Sequence, residues 1–226
     1  MPRGSFLSLL FTLAASTALA QDEDGSALKG GSRISVQVGG RFAFNNTFYD
    51  SYYARPENAG VARAAPSRFG PLVVGTFAYS ITDSLELGID LFGTLQQFDL
   101  TNQPRLTTTS YGALLGMRYQ AWWDLGPHGT VPFLGVLTGP MLASTKFDGG
   151  KVRETLSQTW AVATGATLRL SPTWGLCVEY RHVFARAAVG QPDQRFSSLN
   201  AGGSWVSLGV TYNFPHQPSN PLERPF

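Results

Sequence analysis

The chain has 226 residues and a formal net charge of +2, and charged residues make up only 14% of it, against about 25% in an ordinary soluble domain. This excludes a polyelectrolyte partner: no Lys/Arg cluster points to nucleic acid, and lysine occurs only at Lys29, Lys146 and Lys151. Low charge beside 25 glycines and 12% aromatics is expected of a surface that meets hydrocarbon, and Cys177, being alone, cannot form an intramolecular disulfide.

Residues 1–20 read as a secretory signal. Arg3 is the positive start, 6–13 the apolar run, and Ala18-Leu19-Ala20 the cleavage pattern. Removal of the leader takes Arg3 with it, lowers the formal charge to +1 and leaves Gln21 first; no cysteine follows the cut to carry a lipid. Residues 21–31, QDEDGSALKGG, read as a flexible N-terminal tail. No later apolar run reaches the length of a membrane helix, so the chain crosses a membrane as strands or not at all.

From there the pattern is a period of two, which places alternate side chains on opposite faces of a strand. The first predicted strand, about 33–44, sets Ile34, Val36, Val38, Phe42 and Phe44 against Ser35, Gln37, Gly39 and Arg41. Residues 45–68 are expected to be a long loop. The second strand, about 69–81, shows Val73, Phe77, Tyr79 and Ile81 on one face, and Thr82-Asp83-Ser84 is a short turn. The third, about 85–97, alternates Leu87, Ile89, Leu91 and Leu95 with Glu86, Gly88, Asp90, Thr94 and Gln96. A medium loop over 98–107 leads to the fourth, about 108–123, where Tyr111, Ala113, Leu115, Met117, Tyr119 and Trp123 alternate with Ser110, Gly112, Gly116, Arg118 and Gln120. The fifth, about 131–143, groups Val131, Phe133, Leu137 and Met141, with Pro132 and Pro140 counting against a regular ladder. Residues 144–157 read as a polar loop. The sixth and seventh form a hairpin around Ser171-Pro172-Thr173: Trp160, Val162, Leu168, Leu176, Val178, Tyr180 and Phe184 on one face, Thr159, Ala161, Ala163, Gly165, Thr167, Arg169, Cys177, Glu179 and Arg181 on the other. A long loop over 185–202 precedes the eighth, about 203–214, with Val206, Leu208, Val210, Tyr212 and Phe214 opposite Ser207, Gly209, Thr211 and Asn213.

The non-apolar face of these strands is small residues with a few charges of both signs, not the Lys- and Glu-rich face a soluble sheet shows to water. Small residues suit a crowded interior, where ion pairs can be satisfied locally. The reading is therefore inside-out: an all-β, eight-stranded antiparallel up-and-down transmembrane β-barrel over 32–214, without helix, with lipid against the Leu/Val face. Short turns follow strands two, four and six and longer loops follow the others, which puts both chain ends on the short-turn side. Phe42, Phe44, Phe69, Tyr111, Trp160 and Phe184 fall at the long-loop rim, and Trp123, Phe133, Trp174, Tyr212 and Phe214 at the other, as two interfacial girdles.

Three segments, ITDSLELGIDLFG (81–93), LRLSPTWGLCVEYRH (168–182) and SWVSLGVTYNF (204–214), carry a resemblance to small bacterial outer-membrane β-barrel proteins of the OmpA/OmpX and opacity-protein type. The resemblance implies a monomeric, porin-like outer-membrane location among outer-membrane lipid and lipopolysaccharide, and delivery to the barrel-assembly machinery by a terminal aromatic. That aromatic is Phe214 or Phe226, since a Pro-rich tail over 215–226 follows the last strand.

The candidate chemistry is sparse. The inward charges Arg41, Glu86, Asp90, Arg118, Arg169, Glu179 and Arg181 nearly balance, and an eight-stranded barrel is just wide enough for side chains to fill. They are expected to plug the lumen as ion pairs instead of lining a channel, the narrow conduit being the alternative. Glu86 and Asp90, four residues apart, lie about 13 Å apart by strand rise, too far for a glycosidase pair unless another strand contributes. His182 near the outer rim is similar to the histidine of lipid A deacylases, but the serine expected two residues later is Phe184. No metal-ligand spacing, phosphate loop or nucleophile elbow appears, so no cofactor, metal or catalytic residue is assigned. The remaining expectation is a structural or adhesion-like surface role through the 45–68 and 185–202 loops, the first of which carries Arg55, Arg63 and Arg68 among aromatics.

Overall fold

A computed structural model describes residues 28–101, 104–191 and 194–214. The expected leader over 1–20, residues 21–27, and the tail over 215–226 with His216 and Phe226 lie outside the described residues. The elements are β1 (Ser32–Phe42), α1 (Asn46–Tyr53), a 3-10 turn (Pro56–Asn58), β2 (Phe69–Ser80), β3 (Leu85–Phe98), β4 (Leu106–Gln120), β5 (Thr130–Phe147), β6 (Val152–Arg169), β7 (Trp174–Phe184), β8 (Arg186–Gln191), β9 (Gln194–Asn200) and β10 (Gly203–Phe214).

Eight of the strands close an antiparallel barrel in the order β1-β10-β7-β6-β5-β4-β3-β2. The first and last strands pair along their whole length, from Ser32 with Phe214 to Phe42 with Ser204, so the sheet has no edge at the seam. The alternation sets the faces as the inside-out reading requires. Leu87, Val178 and Leu208 are 45%, 51% and 60% exposed on the outer wall, while Arg118 and Glu179 are 0% and 2% exposed inside. The twelve residues of β10, tilted by about 45°, span roughly 28 Å along the barrel axis, the height of a bilayer's hydrocarbon core.

The short-turn rim is tied by local polar bonds. Ser171 Oγ accepts the backbone N–H of Trp174 at 2.9 Å in the β6–β7 turn. Asp83 in the β2–β3 turn accepts the N–H groups of Leu28 and Lys29 at 2.8 and 2.9 Å, and Gly30 donates to the Ser80 carbonyl at 2.8 Å. Residues 28–31, read from sequence as part of a flexible tail, are thus fastened across the rim before β1 begins.

The long-loop side departs further from the sequence reading. β5 and β6 run for 18 residues each, so the expected loop over 144–157 is mostly a projecting hairpin with a tight turn at 148–151. β3 and β4 likewise use the ends of the expected 98–107 loop. The expected 185–202 loop is a second, two-stranded sheet, β8–β9. Gly203, at φ +100°, turns the chain from β9 into β10, where a Cβ would stand 2.3 Å from the Phe42 carbonyl oxygen; only glycine meets both demands. The 45–68 segment contains α1 and the 3-10 turn, correcting the expectation of a barrel without helix. α1 forms because Phe48 and Tyr49 find a buried apolar surface on the barrel interior; packing decides this, as it does for most helices this short.

β5 turns inward the face that the sequence pattern puts outward. Val131, Phe133, Leu137 and Met141 are buried in the lumen, and Val136 faces outward at 56% exposed. The run VPFLGVLTGPML is apolar at both parities, so periodicity could not choose; the ladders with β4 and β6 do. Phe133 therefore leaves the girdle. Pro132 and Pro140 both sit within β5, and the ladder to β4 lapses between the Gly112–Met141 and Leu115–Thr138 pairs, beside Pro140, which has no N–H to give.

Candidate functional site

The lumen divides into two layers. Nearest the short turns, side chains from five strands form a continuous ionic ladder. Arg33 on β1 makes a two-pronged contact with Glu86 on β3, its Nε and Nη2 donating at 2.6 and 2.8 Å. Arg118 on β4 donates from Nη1 to Glu86 at 3.3 Å and from Nη2 to Asp90 at 2.7 Å. Arg181 on β7 reaches Asp90 at 2.8 Å and also pairs with Glu179. Gln37 Nε2 donates to Glu179 at 3.1 Å, and Ser207 Oγ on β10 donates to Gln37 Oε1 at 2.7 Å. Three guanidinium groups thus alternate with three carboxylates. All but Arg33, at 12%, have side chains no more than 2% exposed. Glu86 and Asp90 diverge by strand rise, yet one fork gathers both: Arg118 enters from the neighbouring strand, where Glu86 is its register partner.

Small residues make room for this. A Cβ on Gly88 would stand 2.6 Å from Arg118 Nη1, and one on Gly135 would stand 2.7 Å from Arg118 Cγ. The Phe133 ring lies 5.7 Å from the Arg118 guanidinium and 5.8 Å from that of Arg33. It faces Gly165, whose Cβ would be 2.7 Å from the ring. The misread face of β5 thus supplies an aromatic platform to two ladder arginines, a cation–π arrangement of value where water is excluded.

Of the six residues assigned to the cluster from sequence, Glu86, Asp90, Arg118, Glu179 and Arg181 are brought together. Arg169 is not. Its guanidinium lies 5.1 Å over the Trp122 ring near the rim, and it has no ion pair among the described residues. Arg33 takes the place expected of it, and its inward parity with Ser35 and Gln37 was the available signal. Arg41 also departs from the expectation of ion pairing. It is fully buried and donates to two carbonyls instead, Gly202 at 2.7 Å and Asn200 at 2.6 Å. Asn45 Oδ1 accepts the Asn200 N–H at 2.7 Å. Together these bonds clamp the base of the β8–β9 sheet. A small cavity of about 40 Å³ at the short-turn mouth is lined by Arg33, Glu86, Gln120, Arg169 and Asn213 among others.

The second layer, toward the long loops, is mainly apolar, with Thr94, Gln96, Thr108 and Ser110 buried among it. Leu72, Val74, Phe92, Leu114, Met141 and Trp205 fill it, with Phe48, Tyr49 and Phe98 above them. Phe92 and Trp205 pack with ring centroids 4.9 Å apart, and Phe48 meets Phe98 edge-on at 5.9 Å. α1 acts as a lid. Tyr49 is fully buried, and burial pushes its phenol up from the usual range, against the opposing Ser67 N–H. Tyr52 and Tyr53 hydroxyls hold Thr101 at 3.3 and 3.2 Å, joining the lid to the β3–β4 loop.

The outer wall is apolar between two aromatic belts. Trp123, Trp174 and Phe214 are exposed at 42%, 52% and 42% at the short-turn rim, where Trp174, Tyr212 and Phe214 meet edge-on in succession with centroids 5.0 Å apart. Phe42, Phe69, Trp160 and Phe184 mark the other rim. Past that rim the surface is basic: Arg55, Arg63, Arg68, Arg105, Arg153 and Arg186, with Lys146 and Lys151, stand against Asp50, Glu57, Asp99, Asp148 and Glu154. His182, exposed on the outer wall, meets Ser204 Oγ with its Nδ1 at 3.3 Å. The serine is not two residues after it but across the ladder on β10. Among the described residues no group of three or more His, Cys, Asp or Glu could hold a metal, and no helix is long and apolar enough to cross a membrane.

No family model matches the chain, and neither does any curated protein. Solved structures do. The outer membrane protein OprG from Pseudomonas aeruginosa is similar with a TM-score of 0.52 at 12% identity, over 86% of this chain and 100% of that one. Neisserial surface protein A gives 0.49 at 19%, over 82% and 98%. Ail, the attachment invasion locus protein of Yersinia pestis, crystallised with the heparin analogue sucrose octasulfate, gives 0.48 at 12%, over 82% and 99%. The fold is that of the small eight-stranded outer-membrane barrels.

Proposed function

We propose that this chain is a bacterial outer-membrane barrel whose lumen is sealed and whose function lies on its long-loop face, as a structural or surface-interaction protein without catalytic activity. The observation that carries the reading is the inversion of the wall: aliphatic side chains outside between two aromatic belts, and carboxylates and guanidinium groups inside. In water that exterior would be a large aggregation surface; against lipid tails it is the expected one. The short turns then face the periplasm and the lid, the β5–β6 projection and the β8–β9 sheet face outward.

Two supports make the surface role concrete. The 45–68 segment is anchored through buried Phe48 and Tyr49 of α1, and the region around it is basic, which suits lipopolysaccharide or an acidic partner. A sealed lumen is supported, among the described residues, by the ladder in the short-turn half and the packed side chains in the other. Export by a cleaved leader, recognition of Phe214 or Phe226 by the assembly machinery, and a monomeric state belong to the same proposal. A lipid-modifying enzyme finds less support, because no carboxylate orients His182 among the described residues and its contact to Ser204 is through Nδ1, weak in geometry at 3.3 Å.

The test is fractionation after expression with the leader. The chain is expected in the outer-membrane pellet, as a folded band that shifts on boiling, silent in planar bilayers, with lipid A unchanged on overexpression. A chain that stays in solution without detergent would defeat the membrane reading. Steady conductance would defeat the sealed lumen, and altered lipid A would defeat the non-enzymatic role.

A further inference from the structure

The outer wall carries a polar island within its aromatic belt. Along the register at the long-loop rim, Phe69 pairs with Phe42, Phe42 with Ser204, and Ser204 with His182, while Phe184 pairs with Trp160 on the next strands. Aromatic pairs thus flank both sides: Phe42 and Phe69 rings are 5.3 Å apart, and Phe184 meets the His182 ring at 4.7 Å. Between them Ser204 Oγ lies 3.1 Å from the Tyr180 hydroxyl and 3.3 Å from His182 Nδ1. His182 is the one histidine in a barrel strand among the described residues, and its Nε2 has no partner among them. Above the island, on the loop side, stand exposed Arg186, four residues past His182 and on the same outward parity, and exposed Arg68, whose guanidinium lies 5.5 Å over the Phe44 ring.

Polar groups on a lipid-facing wall are costly unless something there answers them. At this height the answer is a headgroup, not a tail. Tyr180, Ser204 and His182 form a short hydrogen-bonded chain whose two mutual bonds leave a donor free at one end, the Tyr180 hydroxyl or the His182 Nε2–H according to tautomer, and arginines add positive charge above. We propose that Tyr180, His182 and Ser204 form a binding site for the phosphate of a membrane lipid headgroup, with Arg68 and Arg186 as the outer cations and the flanking aromatics against the sugar or glycerol and upper acyl chain. The site rests on the membrane-spanning reading.

The test uses the full mature chain folded in detergent micelles, with retained lipid counted by native mass spectrometry. Titration with bisphosphorylated lipid A is compared with titration by its dephosphorylated form, with inorganic phosphate as a competitor. Wild type is expected to bind the phosphorylated form about tenfold more tightly, the loss expected for one charge-assisted hydrogen bond or more. His182→Ala/Ser204→Ala is expected to abolish that preference, and millimolar inorganic phosphate is expected to leave lipid binding intact. Tyr180→Phe, which removes one hydroxyl and no packing, is expected to weaken binding a few-fold. Equal binding of both lipid forms or an unchanged preference in the double variant would overturn the site, and displacement by millimolar inorganic phosphate would overturn its assignment to a lipid headgroup. A heat-modifiable, membrane-inserted barrel that shows any of these sinks the site alone; a chain that never forms such a band sinks the membrane reading beneath it.

Discussion

The two halves of the lumen solve one problem in opposite ways. Both must fill a narrow cylinder with side chains. The short-turn half uses charges, six of them in an alternating ladder from Arg33 to Glu179. The outer half uses Phe92, Leu114, Met141 and Trp205 beneath a helical lid. The ladder is intolerant of partial loss, since each charge is answered only by its neighbours. The apolar layer loses packing in proportion to what is removed.

The largest expected effect is therefore in the ladder. Arg118→Ala leaves Glu86 with Arg33 alone and Asp90 with Arg181 alone. It should cost about 3–5 kcal/mol in urea unfolding of the micelle-bound barrel, and it is the variant in which bilayer conductance is most expected to appear. Phe92→Ala in the apolar layer should cost about 3–4 kcal/mol without conductance, because α1 still covers the lumen. Equal conductance from the two variants would erase the distinction between the layers. Arg33→Ala, at the mouth, leaves Glu86 its bond to Arg118 and should cost about 2 kcal/mol, with little conductance. Arg169→Ala removes a partly buried cation from the Trp122 face and should cost about 0.5–1 kcal/mol. A cost as large as that of Arg118→Ala would place Arg169 back in the ladder.

The lid sharpens the comparison from outside. Tyr49 is held protonated by burial, so its folded phenol titrates above the unfolded one. Its contribution is complete below the ordinary tyrosine range and is lost as pH rises past about 10. Amide exchange in α1 should quicken there before exchange in β3 and β4 does. Simultaneous loss of both would mean that the lid and the barrel open as one unit.

The sites differed in how much of them could be read ahead. Strands with one clean apolar parity, such as β3 and β10, were legible with both faces and nearly their ends. Glu86, Asp90, Arg118, Glu179 and Arg181 followed from that parity. β5 was not legible, because VPFLGVLTGPML offers two apolar faces, and with it went the placing of Phe133 under two arginines. Parity alone counts Arg169 into the cluster and does not single out Arg33, because both lie at strand ends, where parity says inward but not which neighbour is in reach. The helix at 46–53 and the β8–β9 sheet have weak local patterns and exist by leaning on the barrel.

Composition and a period of two determined by themselves that the wall is β and that its greasy side faces out, since both are local consequences of which residues alternate. Partnering was left to the tertiary structure. Register across strands set which carboxylates share Arg118 and brought Ser204 beside His182. It also gathered the apolar residues of several strands into one layer beneath a lid. Those juxtapositions join residues far apart in the chain, and only closing the cylinder brings them within bonding distance.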